Sequence, residues 1–182
     1  FGRLGAPFGT SFFGVQPDMI TMAKGLTNGA VPMGAVAASD QIYDAFMQGP
    51  EGAIELFHGY TYSAHPVACA AGIATQEIYR KEGLLTRAND MAAYWADGVH
   101  SLRGLPHVID LRNLGLIGAV ELDPIPGKPG LRGYNTFVRA FEQGLLIRVT
   151  GDIVAMSPPL IIEKQHIDHV FGILDGVLKE LG

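Results

Sequence analysis

Lys24 closes a short apolar run and opens a glycine-rich turn, in the stretch Pro17-Asp18-Met19-Ile20-Thr21-Met22-Ala23-Lys24-Gly25-Leu26-Thr27-Asn28-Gly29. An amine at the end of a buried strand is partly desolvated, and desolvation lowers a lysine pKa. A deprotonated amine attacks a carbonyl carbon and forms a Schiff base. The same placement also suits a lysine that snorkels from a strand end to solvent. A second group of interest is Gly59-Tyr60-Thr61-Tyr62-Ser63, where a hydroxyl and several backbone amides could meet a phosphate. It reads equally well as a turn leading into a helix. Arg148 stands between Ile147 and Val149, so strand alternation puts it on the opposite face from both. There it is either a solvent-facing arginine or an anchor that grips a carboxylate with two parallel hydrogen bonds. His58 and His65 lack a third ligand at zinc-site spacing, and no metal is expected.

Elements must hold these groups in place. Asp18 to Ala23 is apolar or small between its ends and fits a buried strand of an α/β sheet. Gly25 and Gly29 then permit backbone shapes that a Cβ resists. Val31 to Ala38 fits a second central strand, with Gly34 allowing close packing. Ser39 suits the N-cap of a helix from Asp40 to Met47 that buries Ile42, Tyr43 and Phe46. Phe1 to Gly14 reads as a loop with phenylalanine anchors and Arg3 at the surface. Glu55 to Pro66 is a polar-aromatic loop, and His65-Pro66 starts a helix that runs to Lys81 and stops at Gly83. Its small residues, Ala68 to Ala74, suit close packing on a sheet. The domain boundary is expected there, dividing the chain into residues 1–84 and 85–182.

Leu85, Ala88, Met91, Trp95, Val99 and Leu102 recur at helical spacing and form one apolar stripe. Val108 to Arg112 and Leu116 to Leu122 read as strands joined near Gly115. Pro124 to Gly133 is a predicted loop, and Tyr134 to Gln143 a short helix burying Phe137, Val138 and Phe141 before Gly144. Leu145 to Val149 and Ile153 to Ser157 flank Thr150-Gly151-Asp152 as a hairpin. Ile167, Val170, Phe171, Leu174, Val177, Leu178 and Leu181 line a last helix. The second half is therefore a small α+β domain.

Bulk properties exclude other classes. With 48% hydrophobic and 17% charged residues the chain is globular. A net charge of −5 lacks the electrostatic footprint of a nucleic-acid binder. No apolar run approaches the roughly 18–20 residues of a membrane span. Cys69 is the only cysteine, which excludes an intrachain disulfide and suits a reducing cytoplasm. Neither a Gly-Lys-Ser/Thr phosphate loop nor a nucleophile elbow occurs, which speaks against a nucleotide-binding module or a hydrolase.

Three segments carry a family resemblance. Asp18 to Lys24 followed by Gly-Leu-Thr-Asn-Gly-Ala-Val-Pro-Met-Gly-Ala-Val resembles the pyridoxal-phosphate lysine segment of the class III aminotransferases. Phe57-His58-Gly59-Tyr60-Thr61-Tyr62-Ser63-Ala64-His65-Pro66 resembles that family's second fingerprint. Leu146 to Asp152, with Ser157-Pro158-Pro159-Leu160, resembles the C-terminal part of its ω-amino acid:pyruvate branch. The resemblance implies an α/β fold of the fold-type I transferases, with the end of a large cofactor-binding domain followed by a small α+β domain. It implies pyridoxal 5'-phosphate as cofactor, with Lys24 as aldimine lysine and proton shuttle in a ping-pong transamination. Thr61 would bind the cofactor phosphate from the neighbouring subunit of a homodimer, with Tyr60 beside it. Arg148 would receive the substrate carboxylate, the donor being an ω-amino acid such as β-alanine or a primary amine and the acceptor pyruvate. Alternatives are another class III enzyme, either a 2-oxoglutarate-using ω-aminotransferase or an aminomutase, and a catalytically silent segment. The chain opens Phe1-Gly2-Arg3, where family members carry an Asp-Glu pair just upstream. It is therefore expected to be the C-terminal portion of a larger protein, with little activity by itself.

Overall fold

The computed structural model describes residues 1–50, 52, 56 and 58–181. They form two compact units: Thr10–Gly83, which contains Lys24, and Phe1–Gly9 together with Leu84–Gly182, which contains Arg148.

The Lys24 unit holds α1 (Gly9–Phe13), β1 (Met19–Ala23), β2 (Gly34–Ala38), α2 (Asp40–Phe46) and α3 (Pro66–Lys81). β1 and β2 pair antiparallel, with Met19 opposite Ala38 and Ala23 opposite Gly34. Neither strand is buried on both faces, contrary to expectation. Burial in β1 alternates, with Ile20 and Met22 half-covered while Met19, Thr21 and Ala23 are exposed. An all-apolar run conceals this alternation, because both faces carry the same kind of residue. Val31, Pro32 and Met33 precede the second strand and do not belong to it. α2 forms almost where capping chemistry places it. However, the Ser39 hydroxyl makes no cap bond, and Tyr43 and Phe46 remain exposed, so the expected buried face is not covered by the described residues. α3 keeps its predicted span, with proline in its first turn and Gly83 beyond its end at φ +62°. Ala68, Thr75 and Tyr79 are its buried residues.

The Arg148 unit is built on a four-stranded antiparallel sheet in the order β3-β4-β6-β5, from β3 (Val108–Leu114), β4 (Ile117–Leu122), β5 (Arg148–Thr150) and β6 (Ile153–Met156). α4 (Ala88–Ser101), α5 (Leu131–Glu142) and α6 (Lys164–Glu180) pack with it. Trp95, Val99, Leu102, Val120, Leu122, Val154, Ile167 and Leu174 form a fully enclosed core. Burying each such aliphatic side chain contributes about 1.5–3 kcal/mol. Trp95 meets Phe171 with ring centroids 5.1 Å apart. Gly98 and Gly118 leave room for them, since a Cβ would lie 2.3 Å from the Phe171 ring at the first and 3.1 Å from Trp95 Nε1 at the second.

Three expectations change in this unit. β5 begins at Arg148 and ends at Thr150, not at the predicted Leu145 and Val149, and the Leu145 amide donates to the Ala140 carbonyl at 2.8 Å instead of to a neighbouring strand. Arg3 is not a surface arginine. Its guanidinium donates to the Pro158 carbonyl, and its own carbonyl accepts from the Leu116 amide at 2.8 Å. α5 begins three residues before the predicted Tyr134 and buries Arg132, Gly133, Thr136 and Ala140, while Phe141 faces outward. Polarity alone suggested the aromatic face. Close approach of the backbone at Gly133 selects the small-residue face instead, as a Cβ there would stand 2.2 Å from the Gly151 carbonyl oxygen.

Candidate active site

β1 delivers Lys24 into a turn in which the lysine itself is left-handed, at φ +56°, followed by Asn28 at +50° and Gly29 at +76°. That conformation costs an L-residue roughly 1–2 kcal/mol, and local hydrogen bonds offset it. The Lys24 carbonyl accepts from the amides of Thr27 at 3.3 Å and Gly29 at 3.2 Å. Thr27 is enclosed, and its hydroxyl donates to the Val31 carbonyl at 2.5 Å. From α3, the Tyr79 hydroxyl donates to the Gly25 carbonyl at 2.9 Å and Gln76 Nε2 reaches the Leu26 carbonyl at 3.5 Å. The turn that follows the lysine is therefore tied down both from within and from α3.

The Lys24 side chain is exposed, which corrects the expectation of a partly desolvated strand-end amine. Its strand is open on one face, so little of the unit covers it. No hydrogen bond or ion pair among the described residues engages Nζ.

Tyr60 and Thr61 lie in a turn closed by the Ser63 amide on the Tyr60 carbonyl at 2.9 Å, with Ala64 left-handed at φ +56° just before α3. The His58 ring meets Tyr60 edge-on at 4.9 Å. Both Tyr60 and Thr61 line an open cleft of about 1760 Å³, together with Met19, Met22, Met33 and Cys69. Lys24 is not among the residues lining it. The Thr61 hydroxyl has no partner among the described residues. Glu55 and Phe57, part of the predicted polar-aromatic loop, lie outside the described residues. Among those described, no three His, Cys, Asp or Glu side chains gather where a metal ion could sit.

Arg148 opens β5, the edge strand, opposite Ala155 on β6. It is exposed while Ile147 and Val149 turn inward, following the alternation read from the sequence. The hairpin turn behind it carries Gly151 at φ +59°. Asp152 fastens that turn to α5, its carboxylate accepting from the amides of Gly130 at 2.6 Å and Gly133 at 2.9 Å. A carboxylate at a helix N-terminus satisfies amides that lack intrahelical partners and meets the positive end of the helix dipole. Asp152, Thr27, Gln76 and Tyr79 are the holding residues that the sequence reading missed. A Thr-Gly-Asp turn hinted at a capping role for Asp152, whereas nothing local pointed to Tyr79.

A profile described as "Aminotransferase class-III" matches residues 1–178. The chain is 59% identical over 181 residues to an omega-aminotransferase of Caulobacter vibrioides, covering 100% of this chain and 41% of that protein. It is 45% identical over 173 residues to a beta-alanine–pyruvate aminotransferase of Pseudomonas aeruginosa, covering 94% of this chain and 39% of that one. Its structure superposes on a thermostable (S)-enantioselective omega-transaminase from Thermomicrobium roseum with a TM-score of 0.90. That match has 33% identity and covers 100% of this chain and 41% of the other. The chain thus spans about two fifths of the length of these relatives. Its mixed α/β architecture is the fold-type I one that the sequence implied. On this evidence the chain belongs to the class-III aminotransferases, a pyridoxal-phosphate-dependent family.

Proposed function

We propose that this chain supplies the lysine and part of the cofactor and substrate contacts of a pyridoxal-phosphate-dependent ω-aminotransferase. In this reading an amino group passes from an ω-amino acid such as β-alanine, or from a primary amine, to pyruvate. The observation that carries the reading is Lys24, an amine without a partner among the described residues, on a hydrogen-bonded left-handed turn at the end of β1. The donor set suits the cofactor in kind: an amine for its aldehyde, and a Thr61 hydroxyl in a turn at the entrance to α3 for its phosphate, neither engaged by another of the described residues. When bound, pyridoxal phosphate supplies an aldehyde for amine exchange and a conjugated ring that takes up the electron pair left at the donor carbon.

Lys24 Nζ would anchor the cofactor and, once freed, would carry the proton lost at the donor carbon to the cofactor carbon. Thr61 and the amides of its turn hold the phosphate, with Tyr60 beside them and the contact made across a homodimer. Arg148 orients the substrate by its carboxylate. Two half-reactions on one enzyme form give ping-pong kinetics. The large-domain and small-domain division at 1–84 and 85–182 and a cytoplasmic location belong to the same proposal. Among the described residues, no helix is long and apolar enough to cross a membrane.

The names of the Caulobacter and Pseudomonas relatives support the ω-amino donor, and the second also supports pyruvate. The test is borohydride reduction of the full-length protein mixed with pyridoxal phosphate, followed by peptide mapping. A single label on Lys24 is expected, and label scattered over surface lysines would overturn the assignment. Turnover with pyruvate set against 2-oxoglutarate then decides the acceptor.

A further inference from the structure

We propose that Tyr79 is a positioning residue for Lys24, a role that rests on the reading of Lys24 given above. The two residues are far apart in sequence, and α3 brings the tyrosine to the lysine's turn. Two consecutive carbonyls follow the Lys24 Cα. The first, that of Lys24, is held by the Thr27 and Gly29 amides, and the second, that of Gly25, by the Tyr79 hydroxyl at 2.9 Å. Together they fix two successive peptide planes. The first of those planes carries the Lys24 Cα, and the second holds the first in place, so the backbone from which the Lys24 side chain projects is kept in its left-handed state.

Tyr79 suits this task because its ring is buried, with 7% of its surface exposed, so the hydroxyl cannot wander. The other hydroxyl on the buried face of α3 is spent inside the helix, Thr75 donating to the Ala71 carbonyl at 2.8 Å. Gln76 reaches the turn only at 3.5 Å and from an exposed position, near the limit of a useful hydrogen bond. The firm grip of α3 on the lysine turn is therefore the tyrosine hydroxyl. Removing it leaves the Gly25 carbonyl without its bond and lets the lysine exchange its left-handed conformation for a less strained one.

The experiment compares wild type, Tyr79→Phe and Thr75→Val in the full-length protein. The phenylalanine keeps the ring and its packing, and the valine removes an α3 hydroxyl that does not touch the turn. Amide hydrogen exchange of the cofactor-free proteins is read over residues 24–30 and over α3. Loss of one neutral hydrogen bond accelerates exchange of the turn about three- to tenfold. The acceleration is expected in Tyr79→Phe alone, with α3 unchanged. In the loaded enzymes, kcat of Tyr79→Phe is expected to fall about tenfold with KM for the amino donor unchanged, a loss of transition-state stabilisation alone. Unchanged exchange over 24–30 in Tyr79→Phe would overturn the proposal, as would equal acceleration in Thr75→Val, because α3 would then act only as packing. If borohydride fails to label Lys24 in wild type, the functional reading falls instead, and the exchange comparison still decides whether Tyr79 holds the turn.

Discussion

Substituting Gly133 by alanine sets two effects of opposite sign against each other, and the structure says which wins. Gly133 lies in the first turn of α5 with ordinary helical dihedrals. Propensity alone therefore favours alanine there by about 1 kcal/mol. Against this, the new Cβ would stand 2.2 Å from the Gly151 carbonyl oxygen and 3.0 Å from Asp152 Cα, both backbone atoms that no rotamer change can move away. Restoring ordinary contact requires α5 and the hairpin turn to part by roughly 1 Å, with an overpacking cost of about 1–3 kcal/mol. The same movement stretches the two amide bonds to the Asp152 carboxylate, now 2.6 and 2.9 Å, towards the loss of an N-terminal cap worth about 0.5–2 kcal/mol. The balance is a destabilisation centred near 2 kcal/mol, or a Tm lowered by about 4–8 °C in a chain of this size. Gly172 is the control. It is exposed on α6 with nothing within 4 Å of a built Cβ, so Gly172→Ala should raise Tm by about 2–4 °C. Thermal unfolding followed by circular dichroism reads both. The turn also carries β5, so in the full-length protein Gly133→Ala should raise KM for the keto acid while that for a primary amine donor without a carboxylate stays put. A Gly133→Ala protein that melts at or above wild type would refute the close-approach argument.

Three further outcomes are expected. Arg148→Lys keeps the charge but loses the bidentate fork, and KM for pyruvate should rise about tenfold or more in steady-state assays. An unchanged KM would remove Arg148 from carboxylate binding. Leu174→Ala removes a fully buried side chain from the core of the Arg148 unit and should cost about 2–5 kcal/mol by denaturant titration, with no new ligand behaviour. The hydroxyl of Tyr94 donates to Asp168 at 2.5 Å, and that bond holds the phenol above the usual tyrosine value. A folded pKa raised above the unfolded one contributes stability below about pH 10. That contribution is lost as pH rises through the folded value. Ultraviolet titration should show a phenol ionising late, and Asp168→Asn should bring it back towards 10; no change on substitution would dismiss the pair.

Local chemistry made much of the chain readable from the sequence. α3 keeps its predicted span and α6 its predicted face, because proline, glycine and an apolar period of three to four residues act within a few turns. The β5–β6 hairpin, with Arg148 facing away from Ile147 and Val149, follows from alternation around Thr150-Gly151-Asp152. Lys24 and Thr61 were found as candidates because they stand in recognisable motifs, and the family follows from those motifs. What the sequence could not show depends on groups brought together from far along the chain. The exposed face of β1, the small-residue face of α5 and the left-handed state of Lys24 itself were all invisible to periodicity. So was the hydroxyl that holds the lysine turn, which comes from 54 residues away. Residue type and spacing determine which elements form and which groups can react. Only the folded chain decides which carbonyl a tyrosine reaches and which glycine lets two backbones touch, because those are distances between elements.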